Sequence, residues 1–178
     1  GFLGSNLAAE FIKKNYESFI IDSLEREGSL DNLNWLNSFA KKDQLTFLKA
    51  DICNQEIILK FFKKFSQFDF ICHVAGQVAM TKSITNPRKD FETNSLGTFN
   101  ILECSRLYSP DAFLAYSSTN KVYGDAPNDI PLLESELRYD YGPDEYKDGI
   151  PETFKIDQSK HSLFGASKVA ADVMTQEY

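Results

Sequence analysis

The chain has 178 residues, 42% of them apolar and 25% charged, with 19 basic against 26 acidic side chains and a formal net charge of −7. A chain this long forms one globular domain and buries roughly 70% of its unfolded surface, so it needs no disulfide or zinc staple. The acidic balance excludes a phosphate-backbone partner, and no apolar run approaches the roughly 18 residues of a membrane helix; the chain reads as soluble and cytoplasmic, with no nucleic-acid or membrane partner.

Taken in order, Gly1-Phe2-Leu3-Gly4 opens directly onto Leu3, Leu7, Ala8, Phe11 and Ile12 at helical spacing. Phe19-Ile20-Ile21 is a short apolar run ending in Asp22 and suits a buried parallel strand. A helix over Asp31–Phe39 follows, then a strand over Leu45–Ala50 that ends in Asp51-Ile52. Ile57, Ile58, Phe61, Phe62 and Phe65 share one helical face, and Phe70–Val74 is a third strand running into Ala75-Gly76. A helix from Phe91 to Leu107 leads to a fourth strand, Phe113–Tyr116, which ends in Ser117-Ser118-Thr119. Strands alternating with helices predict an α/β fold: a Rossmann-type, doubly wound parallel sheet covered on both faces, with right-handed crossovers. Cys53, Cys72 and Cys104 lie far apart and outside any CxxC spacing, and read as reduced, buried thiols. His73 falls inside an apolar strand and reads as a core residue, while His161 has no flanking ligands at metal-binding spacing. No metal site is expected.

Charge is unevenly distributed. Between Asp125 and Asp157 there are ten acids against three bases and four of the six prolines, so the remainder of the chain is neutral. With no sustained period, residues 125–157 read as an acidic loop excursion near the ligand crevice rather than a core element. The chain starts without an initiator Met and without a signal-like run, and its last helical composition continues to Tyr178 without a stop. Both ends read as cut, leaving residues 1–178 as a partial nucleotide-binding domain.

In a doubly wound sheet, ligands bind beyond the carboxyl ends of the strands. The polar residues just after each apolar run, Asp22, Asp51, Ala75-Gly76-Gln77 and Ser117-Ser118-Thr119, therefore form one candidate set. A glycine turn opening a helix gives a pyrophosphate close access to backbone N–H groups at the positive helix end. Asp22, eighteen residues after Gly4 at a strand end, can accept both ribose hydroxyls of an adenosine and repels a 2′-phosphate.

The segments SSTNKVYG (117–124) and HSLFGASK (161–168), with GFLGSN, HVAGQVAM and FETNSLGT, resemble the extended short-chain dehydrogenase/reductases, the nucleotide-sugar epimerases and dehydratases, essentially end to end. The strings DNLNWL (31–36), GQVAMTKSITNP (76–87) and STNKVYGD (118–125) sharpen that resemblance toward one epimerase branch. It implies a tightly held NAD, with pyrophosphate on Gly1, Phe2, Leu3 and Gly4 and adenosine ribose on Asp22 and Arg26. Adenine would lie near Asp51 and Ile52, and the nicotinamide side near Ala75, Gly76, Gln77, Asn94 and Ser117. It further implies a nucleotide-sugar substrate, epimerisation at C2 of a CDP-linked deoxysugar by transient oxidation and hydride return, and a homo-oligomer at full length. Thr119 falls at the family's catalytic Ser/Thr position and Lys168 at its ribose-binding lysine, whereas Phe164 stands where the family has its Tyr. Phenylalanine keeps the ring and loses the titratable oxygen. Two alternatives stay open: a 4-epimerase or dehydratase of the same family and, because of Phe164, an NAD-binding protein without turnover. Tyr139, Tyr141 and Tyr146 are the candidate replacement phenols.

Overall fold

The computed structural model describes residues 1–178. Its elements run α1 (Phe2–Lys13), β1 (Ser18–Asp22), α2 (Ser29–Asn37), β2 (Leu45–Lys49), α3 (Gln55–Lys64), β3 (Phe70–His73), α4 (Met80–Thr85), α5 (Pro87–Phe91), a π-helical turn Glu92–Leu96, α6 (Gly97–Tyr108), β4 (Phe113–Tyr116), the ribbon strands β5 (Leu132–Glu134) and β6 (Tyr139–Tyr141), and α7 (Leu163–Glu177). No helix is long and apolar enough to cross a membrane.

β1 and β2 pair in parallel with Ser18 opposite Leu45, and β3 and β4 pair in parallel with Phe70 opposite Phe113. The two pairs do not hydrogen-bond to each other, so each of the four strands keeps one unpaired edge. Helices hold the pairs together from both faces. On one face, Ala9 and Ile12 of α1 pack with Leu36, Ile20 and Leu45, while Phe11 lies 6.1 Å from Phe70. Gly4 lets the helix come that near, since a Cβ there would stand 3.2 Å from Val74 Cγ2. On the other face, Ile58, Phe61, Phe62, Ile101 and Cys104 of α3 and α6 pack against Phe19, Ile21 and Leu48 of the first pair and Ile71 and Leu114 of the second. Shared burial thus gives the parallel α/β architecture the alternating sequence predicts.

Helix α3 shows how the sequence sets this core. Its apolar residues recur every three or four positions, Asn54 Oδ1 caps it by accepting from Ile57 N at 3.2 Å, and Lys63 and Lys64 meet its negative end. Phe19 reaches Phe65 at 5.0 Å and Phe68 at 5.2 Å, and Phe62 reaches Phe68 at 5.3 Å. Each such ring pair adds about 0.5–1.5 kcal/mol beyond area burial.

Three expectations are corrected. The helix expected over Phe91–Leu107 is α5, a π-helical turn and α6, preceded by α4. Asn86 starts α5 by accepting from Lys89 N at 3.1 Å with Pro87 in the first turn, a signal that apolar period alone passes over. Of the cysteines only Cys104 is buried; Cys53 is half-buried and Cys72 is exposed. Within 125–157 there is some regular structure, the β5–β6 ribbon with Leu132 opposite Tyr141, whose strand Leu132–Glu134 is exposed throughout.

His73 is a core residue. The Thr98 hydroxyl donates to Asn94 O at 2.6 Å and so accepts from His73 Nε2 at 2.9 Å, which fixes the tautomer. Burial, and then the Lys168 charge, push the imidazole down to about 4. A histidine whose folded-state pKa is depressed contributes stability that is intact above its unfolded value near 6.5 and lost as pH falls toward 4. Denaturant unfolding should therefore show the parent losing on the order of 3 kcal/mol more than His73→Gln between those two pH values; parallel curves would refute the assignment.

Candidate active site

Because β3 and β4 run parallel with His73 opposite Tyr116, their carboxyl ends release two loops side by side. The loop after β3 supplies Val74, Ala75, Gly76, Gln77 and Val78, and the loop after β4 supplies Ser117, Ser118 and Thr119. α7 closes the third side with Phe164 and Lys168, four residues apart and so on one helix face. Together with Met80 and Lys121 these residues line a cavity of about 340 Å3. Another cavity, of about 290 Å3, lies by Leu102, Arg106 and Tyr178 and contains none of the sequence-derived site residues.

The start of α7 is fixed from two directions. Ser162 Oγ accepts from Gly165 N at 3.0 Å, capping the helix. Gly165 is pressed onto the turn that follows Thr119, where a Cβ would come 2.7 Å from the Lys121 carbonyl oxygen. Gly165→Ala should accordingly displace that turn and cost about 1–3 kcal/mol in urea unfolding, as overpacking does; an unchanged midpoint would show the two segments to be uncoupled.

Lys168 is buried, donates from Nζ to Ser117 O at 2.7 Å and lies 4.2 Å from the centre of the Tyr116 ring. Burial lowers its amine to about 8, against the opposing charges of Asp172 and Asp90. Thr119 Oγ1 accepts from Lys121 N at 3.3 Å, and the Ser118 hydroxyl donates to the Asp172 carboxylate. Phe164 is 8% exposed and brings a ring with no titratable atom to the wall. The phenol that the fold does bring to Lys168 is Tyr116, but its hydroxyl is buried and without a partner. Burial, and then the charge of Asp172, push that phenol well above its usual range. It cannot take a proton near neutrality. The candidate replacements are elsewhere: Tyr141 meets Tyr146 edge to face, as Tyr146 meets Phe154, and neither they nor Tyr139 line the cavity.

The remaining sequence-derived residues sit in two clusters outside the cavity lining. Gly1 offers α1 no side-chain cap, which leaves the first-turn amides of Phe2, Leu3 and Gly4 to an outside acceptor. Gly1 N donates to Asp22 Oδ2 at 3.1 Å, and Asp22 Oδ1 accepts from Leu24 N at 2.7 Å. In the second cluster Lys89 Nζ donates to Asp51 Oδ2 at 2.6 Å and stands 3.9 Å from Glu25. Burial raises the Asp51 carboxyl, but the hydrogen bonds from Lys89 and Cys53 outweigh it and hold the group below its ordinary value. Arg26 is exposed, and Ile52 is a core residue whose carbonyl accepts from Asn100 Nδ2 at 2.9 Å. Asn94 borders the cavity from behind: its Oδ1 accepts from Gln77 N at 2.9 Å and would stand 3.1 Å from a Cβ on Gly76.

Among the polar and charged residues in and around the cavity and the Asp51 cluster, five were not singled out in the sequence: Lys89, Asp90, Lys121, Ser167 and Asp172. Ser167 and Asp172 flank Lys168 on α7, so helical spacing could have marked them. Asp90 lies four residues before Asn94, yet nothing in a single sequence tells a buried aspartate from a solvated one.

The family model described as GDP-mannose 4,6 dehydratase matches residues 1–178. CDP-paratose 2-epimerase of Salmonella typhi is 41% identical over 178 residues, 100% of this chain and 50% of that protein. The structure of the UDP-Glc/GlcNAc 4-epimerase from Campylobacter jejuni superposes with a TM-score of 0.76 at 21% identity, over 99% of this chain and 46% of that one. The UDP-glucose 4-epimerase of Thermus thermophilus, solved in complex with NAD, superposes with a TM-score of 0.72 at 24% identity, over 100% of this chain and 48% of that one. The chain thus spans about half the length of the relatives it matches. With the family model covering every residue and the strand-end cavity in place, the chain belongs to the GDP-mannose 4,6 dehydratase family of extended short-chain dehydrogenase/reductases.

Proposed function

We propose that this chain is the cofactor-binding part of an NAD-dependent epimerase that inverts C2 of a CDP-linked deoxysugar. The observation that carries the reading is the one cavity in which Thr119, Lys168 and the Phe164 ring meet the backbone of Gly76 and Gln77. The 41% identity to CDP-paratose 2-epimerase across the whole chain supports the choice of sugar and carbon.

The residues present fit a dinucleotide. The start of α1, where Gly1 has no side chain to cap it, offers the first-turn amides and a positive helix end to a diphosphate. Asp22, beside that turn at the end of β1, suits a ribose diol, with Arg26 beyond it on the exposed side. Asp51 and Ile52 would meet the adenine, and Ala75, Gly76, Gln77, Asn94, Ser117 and Lys168 the nicotinamide side. Bound there, NAD supplies the hydride acceptor and donor.

The chain's own groups supply orientation and charge. The Thr119 hydroxyl hydrogen-bonds the sugar hydroxyl, and the Lys168 amine, held by Ser117 O, sets a positive charge beside it. Inversion by transient oxidation and return of the hydride would involve no net oxidation, and it would require a group to accept the sugar hydroxyl proton and give it back. The ring of Phe164 cannot be that group, so in this chain Thr119 and Lys168 supply orientation and charge alone.

Calorimetric NAD titration and product analysis with CDP-paratose and other nucleotide sugars test the reading on the native protein. Tight NAD binding and a C2 epimer are expected; a 4-epimer or a 4-keto product would replace the reading with a sibling activity. Phe164 itself favours a second reading, an NAD-binding protein without turnover, which predicts the same titration and no product.

A further inference from the structure

One buried carboxylate in the molecule is enclosed by neutral donors alone. Asp90 on α5 is 1% exposed. Its Oδ1 accepts from Gln77 Nε2 at 3.0 Å and from Asn94 Nδ2 at 3.4 Å, and its Oδ2 from the Ser167 hydroxyl at 2.6 Å. The three donors belong to three separate pieces of chain: the loop after β3, the π-helical turn and α7. Asn94 closes the ring, accepting from Gln77 N at 2.9 Å and donating to Ser167 Oγ at 3.0 Å, and Ser95 Oγ adds a bond to Ser167 O at 2.9 Å.

Burying a charge is expensive, and an apolar packing of equal volume is often at least as stable. Stability therefore does not account for Asp90, whereas fixed geometry does: a fully satisfied buried network admits few alternative arrangements. The frame it fixes is the cavity wall. Ser167 directly precedes Lys168 and lies three residues after Phe164, and Gln77 lines the opposite side.

We propose that Asp90 is a positioning residue that clamps the Gly76–Gln77 wall and the first turns of α7, with Phe164 and Lys168, into one rigid frame through Gln77, Asn94 and Ser167. The proposal rests on reading that cavity as the cofactor and sugar site. A carboxylate serves all three neighbours at once, the Gln77 and Asn94 amides on one oxygen and the Ser167 hydroxyl on the other. An asparagine of the same volume keeps its oxygen on the Gln77 and Asn94 amides and turns its NH2 toward Ser167, whose hydroxyl then donates to Phe164 O, 3.0 Å away, so the charge-assisted Asp90–Ser167 bond is lost without a cavity forming.

The test compares Asp90→Asn, Ser167→Ala and the double variant with the parent. In the unliganded chain, hydrogen exchange at the Gln77 and Ala79 amides and in the first two turns of α7 should accelerate together by about tenfold in either single variant, while α3 stays protected. The NAD dissociation constant should rise about tenfold in each single variant, and the double variant should be no worse than the weaker-binding single, since both act on the Asp90–Ser167 bond. Ser167→Ala leaves a good helix former in α7, so it carries the test where Asp90→Asn does not fold. Exchange at Gln77 that ignores Ser167→Ala, additive losses in the double variant, or NAD affinity that falls only with global unfolding would each overturn the proposal. A parent that does not bind NAD but shows coupled exchange would overturn the cofactor reading and support the clamp.

Discussion

Phe164→Tyr in the native protein is expected to raise turnover by roughly 10²-fold or more, the usual worth of a positioned acid/base group. That factor corresponds to about 2.7 kcal/mol of barrier. The substitution adds one oxygen to a ring that already lines a cavity of about 340 Å3, so little has to move. Lys168 sits one helical turn further along the same face, and its positive charge favours the phenolate, drawing the new group below its usual value near 10. Tyr116, the phenol beside Lys168, does not answer for the missing one, because its hydroxyl is buried and held protonated. NAD affinity should change little, since the α1 turn and Asp22 are untouched. If the parent already epimerises at an ordinary rate and Phe164→Tyr leaves it unchanged, another group accepts the proton and position 164 has no such role.

How much of this was legible beforehand depended on whether the signal was local. The four parallel strands were readable because each is a short apolar run ended by a polar residue, and the loops after β3 and β4 meet because parallel pairing puts both carboxyl ends together. Asp22 and Asp51 also end strands, yet they stand at separate clusters, one at the start of α1 and one on Lys89. Their strands form a pair that shares helices, not hydrogen bonds, with β3 and β4. The π-helical turn was invisible because one extra residue per turn leaves the apolar spacing almost intact. Asp90 was invisible for a different reason: its three donors come from residues 13, 4 and 77 positions away, and a network closed by long-range contacts leaves no periodic trace.

The native protein is expected to bind NAD roughly tenfold to a hundredfold more tightly than NADP, and Asp22→Asn should bring the two close to parity. Asp22 is poised for this by its own backbone: Leu24 N holds Oδ1 at 2.7 Å, leaving Oδ2 toward the α1 turn. A ribose diol can satisfy that oxygen with neutral donors, whereas a 2′-phosphate brings nearly two negative charges to it. At roughly 5 Å in a water-like medium, that repulsion is between about 1 and 2 kcal/mol, and it grows as water is excluded. A factor of ten is about 1.4 kcal/mol, so the carboxylate alone reaches the lower end of the range, and the lost diol bonds extend it. Arg26 works in the other direction. It is exposed four residues after Asp22 and can follow a phosphate into solvent, so Arg26→Ala should widen the preference that Asp22→Asn narrows. Titration of the parent and both variants with each cofactor separates these effects. Equal affinities in the parent, or a preference that survives Asp22→Asn, would remove Asp22 from the ribose site and leave the choice of cofactor to some other group.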